Sequence, residues 1–404
     1  MGAEQAVPTL VLIALAAVLA PIIAEVLRSR VPIPEVVLQI LFGIILGPAV
    51  LGVAHPNDVV NALSDFGLTF LMFLAGSELD LARLREGQIR LATVGWCLSL
   101  ALALLFGGVL VSTGVVLNRI VIALCLTTTA LTTLLPILRD EGVIGSSFGR
   151  IFMSVGAVGE FGPIVAVALF LTTKNSIVTF ALLVVFVVVA TSAALLAARV
   201  HPPRFVSLLR RHMHDSAQLP VRVSVLLVVL LVYLTIQLGL DVLLGAFAAG
   251  IVVRLVIADE DRGPVLSKLE AIGFGFLIPI FFIVSGISFD FKALEHNSSA
   301  LLRIPLFLVL FLLVRGLPAM FLYRRALTSR EQRALAFFSA TGLPLIVVIT
   351  TIGVDEGKMR PVNAASLIAA GMLSVLIYPL LGLRELRARG TRIRRVRGAP
   401  DPTG

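Results

Sequence analysis

The chain has 404 residues, 58% of them hydrophobic and only 14% charged. Soluble domains carry about 25% charged residues. A mean hydropathy of +1.04, with repeated apolar stretches of about 20 residues, excludes a soluble protein and indicates an all-α polytopic membrane protein; the net charge of +9 reflects topology, as counted below, and is no sign of nucleic-acid binding.

Thirteen transmembrane helices are expected, at roughly 8–27, 33–51, 60–79, 91–113, 117–138, 148–171, 176–198, 220–238, 240–258, 266–289, 301–323, 331–353 and 362–383. The first, Pro8 to Leu27, follows Glu4 and no Lys or Arg, so it reads as a span rather than a leader. Span two carries Gly43-x-x-x-Gly47, and span three ends in the segment Phe66 to Asp80. Spans four and five hold Cys97 and Cys125, which make neither a disulfide framework nor a metal site. Span five also carries Thr127-Thr128-Thr129-Ala130-Leu131-Thr132-Thr133 before Pro136, and span six carries Ser154 and Glu160. After span seven comes the basic loop Arg199 to Leu219. Span nine contains Ala246-x-x-x-Gly250, span ten ends in Phe276 to Asp290, and span eleven contains Arg315. Span twelve carries Ser339-Ala340-Thr341-Gly342-Leu343-Pro344, and a tail with seven Arg follows from Arg384. The five His residues all fall in loops.

Alternating the loops puts about 26 of the 33 Lys and Arg residues on one side and about 6 on the other. Basic residues accumulate on the cytoplasmic side. The N-terminus is therefore expected outside and the C-terminus inside, in the cell membrane, with the Arg-rich tail lying on anionic lipid.

Phe66–Asp80 and Phe276–Asp290 align, with Gly76 on Gly286 and Asp80 on Asp290. Gly43-x-x-x-Gly47 matches Ala246-x-x-x-Gly250 more weakly. The copies lie seven spans apart, an odd number, so they run in opposite directions through the membrane. Inverted repeats mark secondary transporters, whose sites sit near the midplane at broken helices. The expected organisation is a first repeat over residues 1–175, a linker span and loop over 176–219, a second repeat over 220–383 and a tail over 384–404. In this pairing span five corresponds to span twelve. Both are rich in hydroxyls and helix-weakening residues at mid-depth, and Thr satisfies freed backbone groups and offers oxygens to an ion.

Glu160 lies about twelve residues from either end of the apolar stretch Phe148–Leu171, too deep at about 1.5 Å per residue for its side chain to reach water. Intramembrane acids are expensive, at least a few kcal/mol by insertion scales, and usually face a partner, a cavity or an ion.

These segments together resemble the monovalent cation:proton antiporters of the sodium/proton exchanger superfamily. The likeness is carried by Pro32-Ile33-Pro34-Glu35 with Leu41 to Pro48, Phe73 to Asp80, Leu244 to Gly250 and Pro279 to Gly286. The resemblance implies two inverted repeats, a six-helix core with two crossing unwound helices, and a dimerisation domain, hence a homodimer. It places Glu160 where the family keeps its ion-binding acid, and Arg315 where it often places a basic residue opposite that acid. The chain departs from the family's paired polar residues in having Gly159 before Glu160.

The expected activity is exchange of Na⁺ or K⁺ for H⁺ by alternating access. Glu160 would hold either the proton or the monovalent cation, with Thr128, Thr129, Thr132 and Ser154 as oxygen donors. Arg315 would be the charge partner, and Thr341 and Gly342 the second unwound segment. A single acid implies electroneutral, one-for-one exchange. No cofactor and no enzymatic activity are expected. An ion-coupled symporter for an organic anion and a transport-inactive sensor on the same fold are the alternative readings.

Overall fold

The computed structural model describes residues 2–27, 33–78, 86–170, 192, 218–238, 242–256, 259–289 and 298–387. The seventh span apart from Ser192, most of the loop Arg199–Leu219, Asp80, Asp290 and the tail beyond Arg387 lie outside the described residues.

In chain order the helices are α1 (Gly2–Leu27), α2 (Glu35–Leu46), α3 (Asp58–Glu78), α4 (Glu86–Ser112), α5 (Arg119–Leu126), α6 (Leu131–Asp140), α7 (Ser147–Phe170), α8 (Leu219–Leu238), α9 (Val242–Val256), α10 (Asp259–Ile272), α11 (Ile278–Ile287), α12 (Ser298–Phe311), α13 (Leu317–Leu322), α14 (Ser329–Ser339), α15 (Pro344–Asp355) and α16 (Pro361–Arg387). Among the described residues nine helical stretches are long and apolar enough to cross a membrane. The second, fifth and ninth expected spans appear as shorter apolar helices. The protein is thus a multi-pass membrane protein whose regular structure is all helical among the described residues, which carry twelve of the thirteen expected spans.

Among the described residues two π-helical turns interrupt spans, Gly273–Leu277 between α10 and α11 and Leu312–Gly316 between α12 and α13. Each precedes a proline by two residues, Pro279 and Pro318. Proline cannot bond to the carbonyl four residues back and its ring clashes with it. Those carbonyls, on Gly275 and Val314, fall inside the wider turns, which relieves the clash.

The chain forms two compact units. The first comprises Met1–Arg83, Pro163–Leu301 and Val347–Ser366. Its helices approach through glycine. A Cβ on Gly43 of α2 would overlap the Ile283 carbonyl and lie 2.8 Å from Gly286 Cα; a Cβ on Gly286 of α11 would overlap the Ile40 carbonyl. A Cβ on Gly76 of α3 would likewise overlap the Phe247 carbonyl, and one on Gly250 of α9 the Phe73 carbonyl. Lipid offers helices no hydrophobic reason to associate, so close van der Waals approach over small residues does the work. The aligned segments therefore make equivalent contacts twice, span two on span ten and span nine on span three. Ile13, Ala16, Val60, Ile280 and Ile283 fill the core beside them.

The second unit comprises Leu84–Gly162, Leu302–Ile346 and Leu367–Gly404. Here Leu134, Leu138, Phe152, Val155, Ala334 and Phe338 form the core. Phe338 of α14 meets Phe148 and Phe152 of α7 edge-on, with ring centroids 6.1 and 5.7 Å apart. The broken spans have well-made starts. Asn118 caps α5, accepting from the amides of Ile120 at 2.8 Å and Val121 at 3.4 Å. Thr328 and Glu331 form a capping box at the start of α14. At the far end of α16, Glu385 pairs with Arg333 of α14 at 2.8 Å, and Arg387 pairs with Glu141 just after α6.

Candidate functional site: a crossing of two unwound segments

Span five unwinds at Thr127–Ala130 and span twelve at Ala340–Leu343, where hydroxyls, glycine and proline accumulate. These are the two segments expected to break. They cross within the second unit and bond to each other. The Ala130 amide donates to the Thr341 carbonyl at 2.8 Å, and Thr129 Oγ1 donates to the Ser339 carbonyl at 2.6 Å. The Thr129 amide donates to the Gly159 carbonyl of α7 at 3.0 Å, and the Gly342 amide to Ser374 Oγ of α16 at 3.2 Å. Backbone freed from a helix in a membrane must be satisfied by neighbours, and α7 and α16 supply them.

Among the described residues, Glu160 and Arg315 are the two buried charged side chains, 5% and 3% exposed. Glu160 Oε1 accepts from Thr132 Oγ1 at 3.2 Å. Thr132 lies in the first turn of α6, whose N-terminus carries positive partial charge. Arg315 stands in the second π turn. Its Nε and Nη2 donate to Thr129 Oγ1 at 3.1 and 2.8 Å, and Nη2 also donates to the Val155 carbonyl at 3.3 Å.

Gly159 makes this fit. A Cβ there would overlap Arg315 Nη2 and stand 2.6 Å from Thr129 Oγ1. The guanidinium thus lies in the space a side chain at position 159 would take, at the residue before Glu160 in sequence. The missing polar residue before Glu160 is matched by a positive charge in its place.

The other expected site residues fall in the same unit with different bonds. Thr128 and Ser154 are buried and donate within their own spans, at the carbonyls of Cys125 (3.0 Å) and Arg150 (3.3 Å). A hydroxyl that donates its proton still has two acceptor lone pairs. Thr341 donates to the Phe337 carbonyl at 3.0 Å. Gly342 comes close to Thr128: a Cβ on it would lie 2.7 Å from Thr128 Oγ1.

Two features of the site escaped the sequence reading. Ser374, fully buried, accepts from the Gly342 amide, and its one proton is within bonding distance of the carbonyls of Gly371 (2.7 Å) and Gly342 (3.1 Å). Trp96 of α4 packs on α7 at Gly162, where a Cβ would come 2.5 Å from the indole. The Gly371-x-x-Ser374 spacing in the last span, and the lone Trp, were the available signals.

The family model for the transmembrane sodium/hydrogen exchanger matches residues 13–382. YjbQ of Bacillus subtilis (strain 168), whose name assigns it Na⁺/H⁺ antiport, is 28% identical over 395 residues, covering 94% of this chain and 63% of its own. This chain therefore spans less than two thirds of that relative's length. A Na⁺/H⁺ antiporter of Enterococcus hirae is 26% identical, covering 88% of this chain and 92% of its own. The Na⁺/H⁺-K⁺ antiporter GerN of Bacillus cereus is 25% identical over 87% of this chain and 90% of its own. Among solved structures, the sodium proton antiporter MjNhaP1 from Methanocaldococcus jannaschii superposes with a TM-score of 0.68 at 18% identity, over 96% of this chain and 100% of that one, which establishes a shared fold. With the matched model running through nearly every described span, the chain belongs to the transmembrane sodium/hydrogen exchanger family.

Proposed function

We propose that this protein is a secondary transporter that exchanges Na⁺ or K⁺ for H⁺, one for one, with Glu160 as the site both ions share. The observation that carries the reading is a carboxylate buried at the crossing of two unwound segments, with a fixed guanidinium packed at the preceding residue. The relatives named as antiporters support the cation and proton as substrates.

The charges support a one-for-one stoichiometry. Arg315 keeps its positive charge throughout. With Glu160 ionised and empty, the pair sums to zero; with a proton or a monovalent cation bound, it sums to plus one. The two loaded states are electrically alike, so exchanging one for the other moves no net charge. Alternating access then opens the loaded site to one side of the membrane and then the other. Thr128, Thr132 and Ser154 lend oxygens, Arg315 balances the ionised acid, and Thr341 with Gly342 forms the second strand of the crossing.

The same reading extends to architecture. The two breaks fall at corresponding places in repeats over 1–175 and 220–383. The distribution of Lys and Arg supports an outside N-terminus and an inside C-terminus in the cell membrane, and the family resemblance supports a homodimer.

The test uses the full chain in vesicles holding a pH dye, with NaCl, KCl and LiCl added in turn. Cation-driven proton movement without a voltage-dependent current is expected, and Glu160→Gln abolishes it. Movement that survives the substitution rules out Glu160 as the shared site, and a current rules out one-for-one exchange.

A further inference from the structure

We propose that Ser339 Oγ is a ligand of the transported cation, and that Thr129 is a positioning residue for Arg315 rather than a ligand. This rests on the antiport reading above. Thr129 Oγ1 donates its one proton to the Ser339 carbonyl and receives two N–H groups from Arg315. A hydroxyl has one donor and two acceptor lone pairs, so all of its capacity is taken. A cation can bind there only by displacing the guanidinium.

Ser339 is the opposite case. It is fully buried, and its hydroxyl has no hydrogen-bond partner among the described residues. Other buried hydroxyls of the same unit, on Thr127, Thr128, Ser154, Thr341 and Ser374, all donate to carbonyls. Buried polar groups are almost always satisfied, and one left over calls for a ligand or an ordered water. Ser339 closes the half-helix α14, whose C-terminal end carries negative partial charge and favours a cation. Its own carbonyl touches Thr129, and Thr129 touches both Arg315 and the Gly159 carbonyl, one residue from Glu160. The unused oxygen thus stands at the crossing, supplied by the second half of the chain, while Glu160 comes from the first.

The side chain and carbonyl of Ser339 separate cleanly, because Ser339→Ala removes the oxygen and leaves the bond from Thr129 intact. The full chain is reconstituted for transport and purified in detergent for thermal unfolding, each over a concentration series of NaCl, KCl and LiCl. Ser339→Ala is expected to raise the half-saturating cation concentration about tenfold in both readouts, at the low end of what losing one group around a metal costs. Without cation it unfolds at the same or a higher temperature, since the lost hydroxyl had no bond. Thr129→Val is expected to shift the pH profile of transport, and Thr129→Ser to restore it.

A half-saturating concentration within about twofold of the parent in both readouts overturns Ser339 as a ligand. If Ser339→Ala does not fold, Ser339→Cys carries the same test, because sulfur is a soft, poor ligand for these hard ions. A pH profile unchanged in Thr129→Val overturns the positioning role. Antiport itself fails on a different result: no proton movement in the unsubstituted protein with any of the three salts. Cation-dependent thermal protection still reports on Ser339 in that event.

Discussion

Replacing Gly159 with Ala adds one methyl group at the tightest point of the site, and two effects of opposite sign compete. Helix propensity favours Ala over Gly by about 1 kcal/mol. Against this, the new Cβ overlaps Arg315 Nη2 and lies 2.6 Å from Thr129 Oγ1 and 2.9 Å from Thr129 Cβ. Thr129 has little room to retreat, because its amide is bonded to the Gly159 carbonyl itself. Overpacking of this kind costs about 1–3 kcal/mol. Displacing the guanidinium also forfeits charge-assisted bonds to Thr129 and Val155, about 1.5–3 kcal/mol for one of them. The sum is a net loss of about 2–5 kcal/mol, with sterics and lost bonds outweighing propensity. Thermal unfolding of the purified protein reads it directly, and Gly159→Ala should unfold several degrees lower. A variant that unfolds at the same or a higher temperature refutes the packing of Arg315 against position 159.

Gly286→Ala forces α2 and α11 apart in the first unit and should lower the unfolding temperature, with loss of about 1–3 kcal/mol; an unchanged temperature counts against backbone contact at Gly43. Thr328→Ala removes the capping box of α14 and should cost about 1 kcal/mol, while Thr328→Ser retains it; equal losses for both variants exclude capping as the cause. Glu141→Ala breaks the pair with Arg387, whose side chain is 62% exposed. Such pairs contribute at most about 1 kcal/mol, so the variant should match the parent in high salt, and a larger or salt-independent loss means Glu141 has a second role.

The spans were legible because an apolar run of about twenty residues has one stable form in lipid. Glu160 was legible because a charge at mid-depth needs a reason. The two breaks were legible because Thr127–Thr133 and Ser339–Pro344 combine hydroxyls with weak helix formers at matched depths. The partners were not. Composition places Thr129 at the crossing but does not say whether its oxygen faces a cation or the Arg315 guanidinium, since that depends on a residue 186 positions away. Gly159 read as a missing ligand, and only packing reveals it as room for a charge. The π turn that carries Arg315 was signalled by Pro318, three residues on, but a proline within a span announces a kink without its form. The carbonyl partners of Gly43, Gly76, Gly250 and Gly286 come from helices far apart in sequence, which the repeat aligns and does not pair.

The crossing is unwound, yet it is stitched. The amides of Thr129, Ala130 and Gly342 lie outside any helix, and each is bonded to a different strand or helix of the unit. Amides of that kind exchange with solvent only when their partners let go. Slow hydrogen exchange is therefore expected at these three positions, slower than at the frayed ends of the apolar helices around them. It also follows that neither strand can shift alone. On the proposed transport reading, a step that carries Glu160 past the midplane would take Thr129, Ser339, Thr341 and Ser374 with it, because these bonds link them, so the travelling part would be the whole knot and its two supporting helices rather than a loop that flexes within them.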